Sequence, residues 1–128
     1  MADDRQALGR GAEAIAAAFL ARAGLEIVDR NHRTPRGEVD LVCREAGLLV
    51  FVEVRARSSD ALGDPAETVD RRKARRVTAA AADWALAHGG LEQSARFDVV
   101  SVVVEPGAPP RVTHYRDAFD ADGGPGLP

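Results

Sequence analysis

Cysteine is nearly absent. Cys43 is the only one, so no internal disulfide can form, and a thiolate zinc site would need more sulfur. Aromatic side chains make up 5% of the chain, too few to predict a surface that stacks unpaired bases on aromatic rings. Lysine is rarer still: of 17 basic residues only Lys73 is a lysine, and the rest are arginine. Positive charge is not in excess. The formal net charge is −3 and the pI about 5.6, so the whole-chain signature of a nucleic-acid binder is missing. No charge-free run approaches the length of a membrane span. Met1-Ala2-Asp3-Asp4 is acidic and lacks the apolar core of a signal peptide, so the expected compartment is the cytoplasm, with no membrane partner. There is no Gly-rich phosphate loop, dinucleotide fingerprint or His-Glu-x-x-His pair. Ser58, Ser59 and Ser101 lack a neighbouring His/Asp arrangement, which argues against a serine hydrolase.

What is present fits one globular domain. The chain has 128 residues, 45% hydrophobic and 29% charged, enough to bury a core without staples. The domain is expected over residues 1–121, with Asp122 to Pro128 as a disordered tail. Ala12, Ile15, Ala16, Phe19, Leu20 and Ala23 recur at helical spacing, predicting a helix over Gly9–Ala23 closed by Gly24. Strands are predicted over Leu25–Asp29, Glu38–Arg44 and Leu48–Arg55. A turn at Thr34–Gly37 and a hairpin at Glu45–Gly47 connect them. In the second strand, alternation groups Val39, Leu41 and Cys43 on one face and Glu38, Asp40 and Val42 on the other. A polar loop over Arg57–Glu67 leads to a helix over Asp70–His88, capped by Thr68 or Asp70 and ended by Gly89-Gly90; Trp84 belongs to its core face. A valine-rich strand over Arg96–Glu105 and a short edge strand over Arg111–Tyr115 follow, with a helical turn at Asp117–Ala121. The order is α-β-β-β-α-β-β. The second helix forms a crossover between parallel strands, giving an α/β domain with a mixed sheet flanked by helices.

The third strand holds an anomaly. Glu53 and Arg55 share a face with Leu49 and Phe51 in an otherwise apolar run. Charges there are costly unless paired or bound to a metal. Asp40 sits between Val39 and Leu41 on the neighbouring strand. Two carboxylates on adjacent strands make an oxygen-donor site for Mg²⁺ or Mn²⁺, and a structural ion pair with Arg55 is the other reading. Glu13 lies at the edge of the first helix's apolar stripe and can extend that site. Arg71, Arg72, Lys73, Arg75 and Arg76 crowd the first turns of the second helix. Cations are unfavourable there, and a phosphate backbone across that end would offset the cost. Arg33 and Arg36 flank the turn before Asp40 and can extend the patch.

Gly9-Arg-Gly-Ala-Glu13, Asn31-His-Arg33, Gly37-Glu-Val-Asp-Leu41, Phe51-Val-Glu-Val-Arg55, Val69 to Lys73 and Arg96-Phe-Asp-Val-Val100 together resemble the YraN family. That family of small bacterial proteins is similar to restriction-endonuclease-like nucleases, including archaeal Holliday junction resolvases. The resemblance implies a restriction-endonuclease-like fold and a metal-dependent nuclease-like domain acting on or binding DNA. It assigns the helix glutamate to Glu13, the strand aspartate to Asp40, and the Glu-x-Lys pair to Glu53 and Arg55. Mg²⁺ or Mn²⁺ would be held by Glu13, Asp40 and Glu53 with the Val54 carbonyl. A homodimer is implied by analogy with the resolvases. Arg55 departs from the pattern: arginine stays charged and cannot act as a base. It can still stabilise charge on a phosphoryl oxygen, and Lys73 can supply the ammonium. A non-catalytic nucleic-acid-binding or protein-interaction module on the same fold is the alternative reading.

Overall fold

The structure, a computed structural model, describes residues 4–58 and 71–121. Most of the expected Arg57–Glu67 loop, the caps Thr68 and Asp70, and the tail from Asp122 lie outside the described residues. The elements are α1 (Asp4–Arg22), β1 (Glu26–Thr34), β2 (Gly37–Glu45), β3 (Leu48–Ser58), α2 (Arg71–Ala87), β4 (Ala95–Val104) and β5 (Arg111–Phe119). They form one five-stranded sheet in sequential order, antiparallel except between β3 and β4. That pair is parallel because the chain crosses over through α2 before returning to the sheet. Among the described residues no helix is long and apolar enough to cross a membrane.

The sheet lies between two separate cores. On one face Ala12, Ala16, Ala17 and Leu20 of α1 pack on Val50, Val52 and Val100. Small residues along this stripe let the helix approach the strands closely. On the other face Val77, Ala81 and Trp84 of α2 pack on Val42, Leu49 and Phe51. β3 is buried on both faces because it feeds both cores. The indole N–H of Trp84 donates to Asp29 at 2.8 Å. Arg36 donates to Asp83 and to the Ala79 carbonyl, tying the β1–β2 hairpin to α2.

α1 begins at Asp4 rather than Gly9, and β3 runs to Ser58, taking Arg57 and Ser58 from the expected loop into its pairing with β4. Three further expectations change. β1 runs on to Thr34 rather than ending at Asp29, because its polar half is held by ladder bonds to β2 and needs no apolar alternation. β5 continues to Phe119, and no helical turn forms over Asp117–Ala121. The β4–β5 register shifts near Asp98, and Asp117 sits at φ 53° with its N–H on the Asp98 carboxylate at 2.9 Å. This bulge turns Phe119 into the core, where it stacks on Phe97 at 5.2 Å. Lastly, Val39 does not share a face with Leu41 and Cys43: Val39 belongs to the α2-side core, and those two belong to the α1-side core. The alternation of β2 therefore breaks at Asp40.

Gly37 marks where β2 meets α2 most closely. A Cβ there would stand 1.9 Å from the Arg76 carbonyl oxygen, which is backbone and cannot rotate away. Gly37→Ala is expected to lower unfolding free energy by about 2 kcal/mol or more, measured by urea denaturation.

Candidate functional site

The β2–β3 ladder runs from Glu45↔Leu48 to Leu41↔Val52 and stops there. Beyond it the Val54 N–H donates to Asp40 Oδ2 at 2.7 Å. A side-chain carboxylate thus takes the place of a strand carbonyl, and the backbone donor stays satisfied. Glu53, one residue earlier on β3, is buried with its side chain 7% exposed. Its face carries Leu49 and Phe51, and α2 covers that face. Lys73 reaches down from α2 to place Nζ 2.7 Å from Glu53 Oε1, while Arg55 Nη1 lies 3.9 Å from the same oxygen.

Burial raises the Asp40 pKa from 3.8 to about 8. The negative charge of Glu53 adds to this, the Val54 N–H opposes it, and Glu13 and Glu38 add smaller repulsions. Glu13 and Glu53 therefore each lie within electrostatic reach of Asp40. Glu13 comes from the α1 side and Glu53 from the α2 side, with Asp40 in the parting between β2 and β3. The donors are hard oxygens, the kind that Mg²⁺ and Mn²⁺ take. Among the described residues no three of His, Cys, Asp and Glu are gathered tightly enough to hold one ion. Mg²⁺, however, is commonly held by one or two carboxylates with waters and substrate phosphate. Asp40 and Glu53 meet that requirement in kind.

The basic cluster is divided. Arg71, Arg72, Arg75 and Arg76 are exposed, and Lys73 turns inward to Glu53. Arg72, Lys73 and Arg76 line a groove with Glu38. Arg33 pairs with Glu38 at 3.4 Å across the hairpin. Arg36 points away to Asp83, so it serves the packing of the hairpin and not this groove.

The family model of "uncharacterised protein family UPF0102" matches residues 12–102, a span that holds Glu13, Asp40, Glu53 and the α2 cluster. The chain belongs to this family. It is the family also called YraN, whose resemblance the motifs carry. A UPF0102 protein of Anaeromyxobacter sp. (strain Fw109-5) is 67% identical over 126 residues, covering 98% of this chain and 94% of that one. One from Anaeromyxobacter dehalogenans (strain 2CP-C) is 65% identical over 124 residues, 97% and 92% of the two chains. One from Rhodococcus jostii (strain RHA1) is 46% identical over 113 residues, 88% and 96%. The uncharacterised status of UPF0102 leaves its chemistry to be argued from the site.

A second buried acid escaped the sequence reading. Asp98 on β4 is fully buried. It accepts two bonds from Arg96 at 2.9 and 3.1 Å, one from the Asp117 N–H, and a 2.6 Å contact with His114 Nε2. Burial pushes its pKa up, but His114, Arg96 and the Asp117 N–H together hold it below the usual carboxylate range. Arg96 also bonds Glu45, which Arg116 grips with both oxygens. The sequence signal was a charged pair, Arg96 and Asp98, entering a valine run. Asp98 stands beside Val52, one residue from Glu53 along β3 but on the other face of the sheet, and the charges of its network are matched.

The raised pKa of Asp40 fixes a pH dependence. Below pH 3.8 both folded and unfolded chains hold the proton. Between pH 3.8 and about 8 the unfolded chain has lost it and the folded one keeps it, so stability falls as pH rises across that window. Asp40→Asn keeps an acceptor for Val54 and removes the buried charge. It is expected to be more stable than the native chain by on the order of 2 kcal/mol at pH 8 and nearly equal to it at pH 4, in denaturation at both pH values.

Proposed function

We propose that this UPF0102 member is a metal-dependent nuclease-like protein that engages the phosphodiester backbone of DNA at the parting between β2 and β3. One observation carries the reading: two carboxylates, half-buried Asp40 and buried Glu53, meet beside the lone lysine and the inward end of a basic helix. Asp98 is matched by donors and stays ionised, whereas Asp40 keeps its proton because burial and the charge of Glu53 make ionising it costly, and an acid so perturbed marks a candidate functional site. Asp40 and Glu53 would hold Mg²⁺ or Mn²⁺, with Glu13 and the Val54 carbonyl as further donors. When bound, such an ion polarises a phosphoryl oxygen and lowers the pKa of water. Lys73 and Arg55 orient the phosphate and stabilise the negative charge that develops on it, Arg55 without taking a proton. Arg72 and Arg76 hold the flanking backbone.

Cleavage of plasmid DNA in Mn²⁺ tests this reading. It is expected to vanish with EDTA and to fall at least about a hundredfold in Asp40→Ala and in Glu53→Ala, and Mn²⁺ is expected to raise the thermal midpoint of the native chain only. Arg55 in place of lysine, and a Glu53 already paired with Lys73, favour a second reading: a DNA-binding module without turnover. DNA binding with no metal-dependent cleavage would select it.

Both readings place phosphates on α2. Each contact contributes roughly 0.9 to the slope of log K against log salt. Neutralising Arg72, Lys73 and Arg76 together is expected to flatten that slope by about two to three units. Arg111→Ser, whose guanidinium pairs with Glu105 on the distant edge strand, is expected to leave the slope unchanged in the same anisotropy titration.

A further inference from the structure

A second groove opens on the other side of Asp40. Gly9, Arg10 and Glu13 of α1 and Asn31 and Arg33 of β1 line it, and it encloses about 520 Å³. Its position follows from the sheet register. Asn31 lies between Arg30, which pairs with Leu41, and His32, which pairs with Val39, and so stands opposite Asp40. Glu13 joins the groove to the carboxylates, since its charge acts on Asp40. The groove thus borders the candidate site from the α1 side, as the Arg72–Arg76 groove does from the α2 side.

Its lining is costly to the fold. Asn31 sits at φ 52° in the middle of a strand, a conformation that L residues other than glycine seldom adopt. Gly9 lies within a helix, where glycine is the poorest residue after proline. No packing among the described residues explains it, because a Cβ on Gly9 would meet none of their atoms within 4 Å. Glycine there leaves the groove floor open and nothing more. Arg10 and Arg33 are planar cations that contact phosphates and stack on bases, a role the aromatic-poor chain offers nowhere else in this groove. The Asn31 amide has both donors and an acceptor, the set needed to read a base edge. Glu13 repels phosphate and so keeps it at the arginine end.

The geometry points to a nucleotide-sized pocket. We infer that the α1–β1 groove binds one unpaired nucleotide of a DNA strand next to the phosphate held at Asp40 and Glu53, with Asn31 reading its base and Arg10 and Arg33 holding its phosphate and ring face. The volume suits a single small ligand and not a duplex. A base that enters a groove of this size has left its stack and offers Asn31 the pairing edge that a duplex keeps occupied. This inference rests on the proposed DNA reading and adds a preference to it.

Anisotropy titrations of the full chain in EDTA test it, with a labelled single strand and a blunt duplex of equal length as probes. The native chain is expected to bind the single strand more tightly. Gly9→Leu fills the groove, and Asn31→Gly removes the amide while accepting the same φ. Each is expected to weaken single-strand binding about tenfold and duplex binding less than twofold. The thermal midpoint of each should be unchanged or higher, since each substitution relieves a local cost. Native affinity for the single strand in both variants, or equal losses for the two probes, overturns the groove inference and leaves the DNA reading standing. Failure of the native chain to bind either probe overturns both.

Discussion

The hydrogen bond from the Val54 N–H to the Asp40 carboxylate organises the molecule. It closes the β2–β3 pairing without a further backbone bond and lets the two strands part. Because β2 is released at that point, its remaining residues turn toward α2. Val39 then joins the core under α2, and Gly37 lies against Arg76, while Leu41 and Cys43 stay under α1. A single polar side chain therefore sets how both helices sit on the sheet, and it brings acids from both faces to one place.

The two strands that flank β3 handle acidic side chains in opposite ways. On β4 Asp98 has bonds from Arg96 and the Asp117 N–H and a short contact with His114, and its carboxyl is held ionised. Such a network fixes the β4–β5 bulge and the course of the edge strand. On β2 Asp40 has, among the described residues, one backbone donor against the charges of Glu53, Glu13 and Glu38, and it holds its proton to about pH 8. Lys73 and Arg55 offset Glu53. The fold could satisfy the second cluster as it does the first, with arginines that the chain has in plenty. It does not, and stability is lost there that a bound cation would return.

Much of this was legible in the residues. A period of two places Glu53 and Arg55 on the face of Phe51, and the structure has them there. The element order and the parallel crossover follow from alternating strand and helix patterns. The break at Asp40 was not legible, because alternation assumes a continuous ladder and Val39 looks like its neighbours. Nor was the length of β5: Asp117 and Asp120 read as turn residues until the Asp98 carboxylate, nineteen positions before Asp117, supplies a partner for its N–H. Asn31 could not be singled out from spacing, since a positive φ inside a strand leaves no periodic trace. Long-range polar bonds and local backbone strain are the two things a pattern of apolar residues does not encode.

Cys43 gives the sheet a built-in reporter. It is fully buried at the centre of β2, and burial, with the charge of Asp98, pushes its thiol up to about 12. Thiolate is the species that alkylating reagents attack, so the folded chain presents almost none. Modification then proceeds through opened molecules, in which β2 has left its neighbours and the thiol titrates near its ordinary value. The rate of alkylation counts how often the middle of the sheet comes apart, in a native chain with no engineered probe.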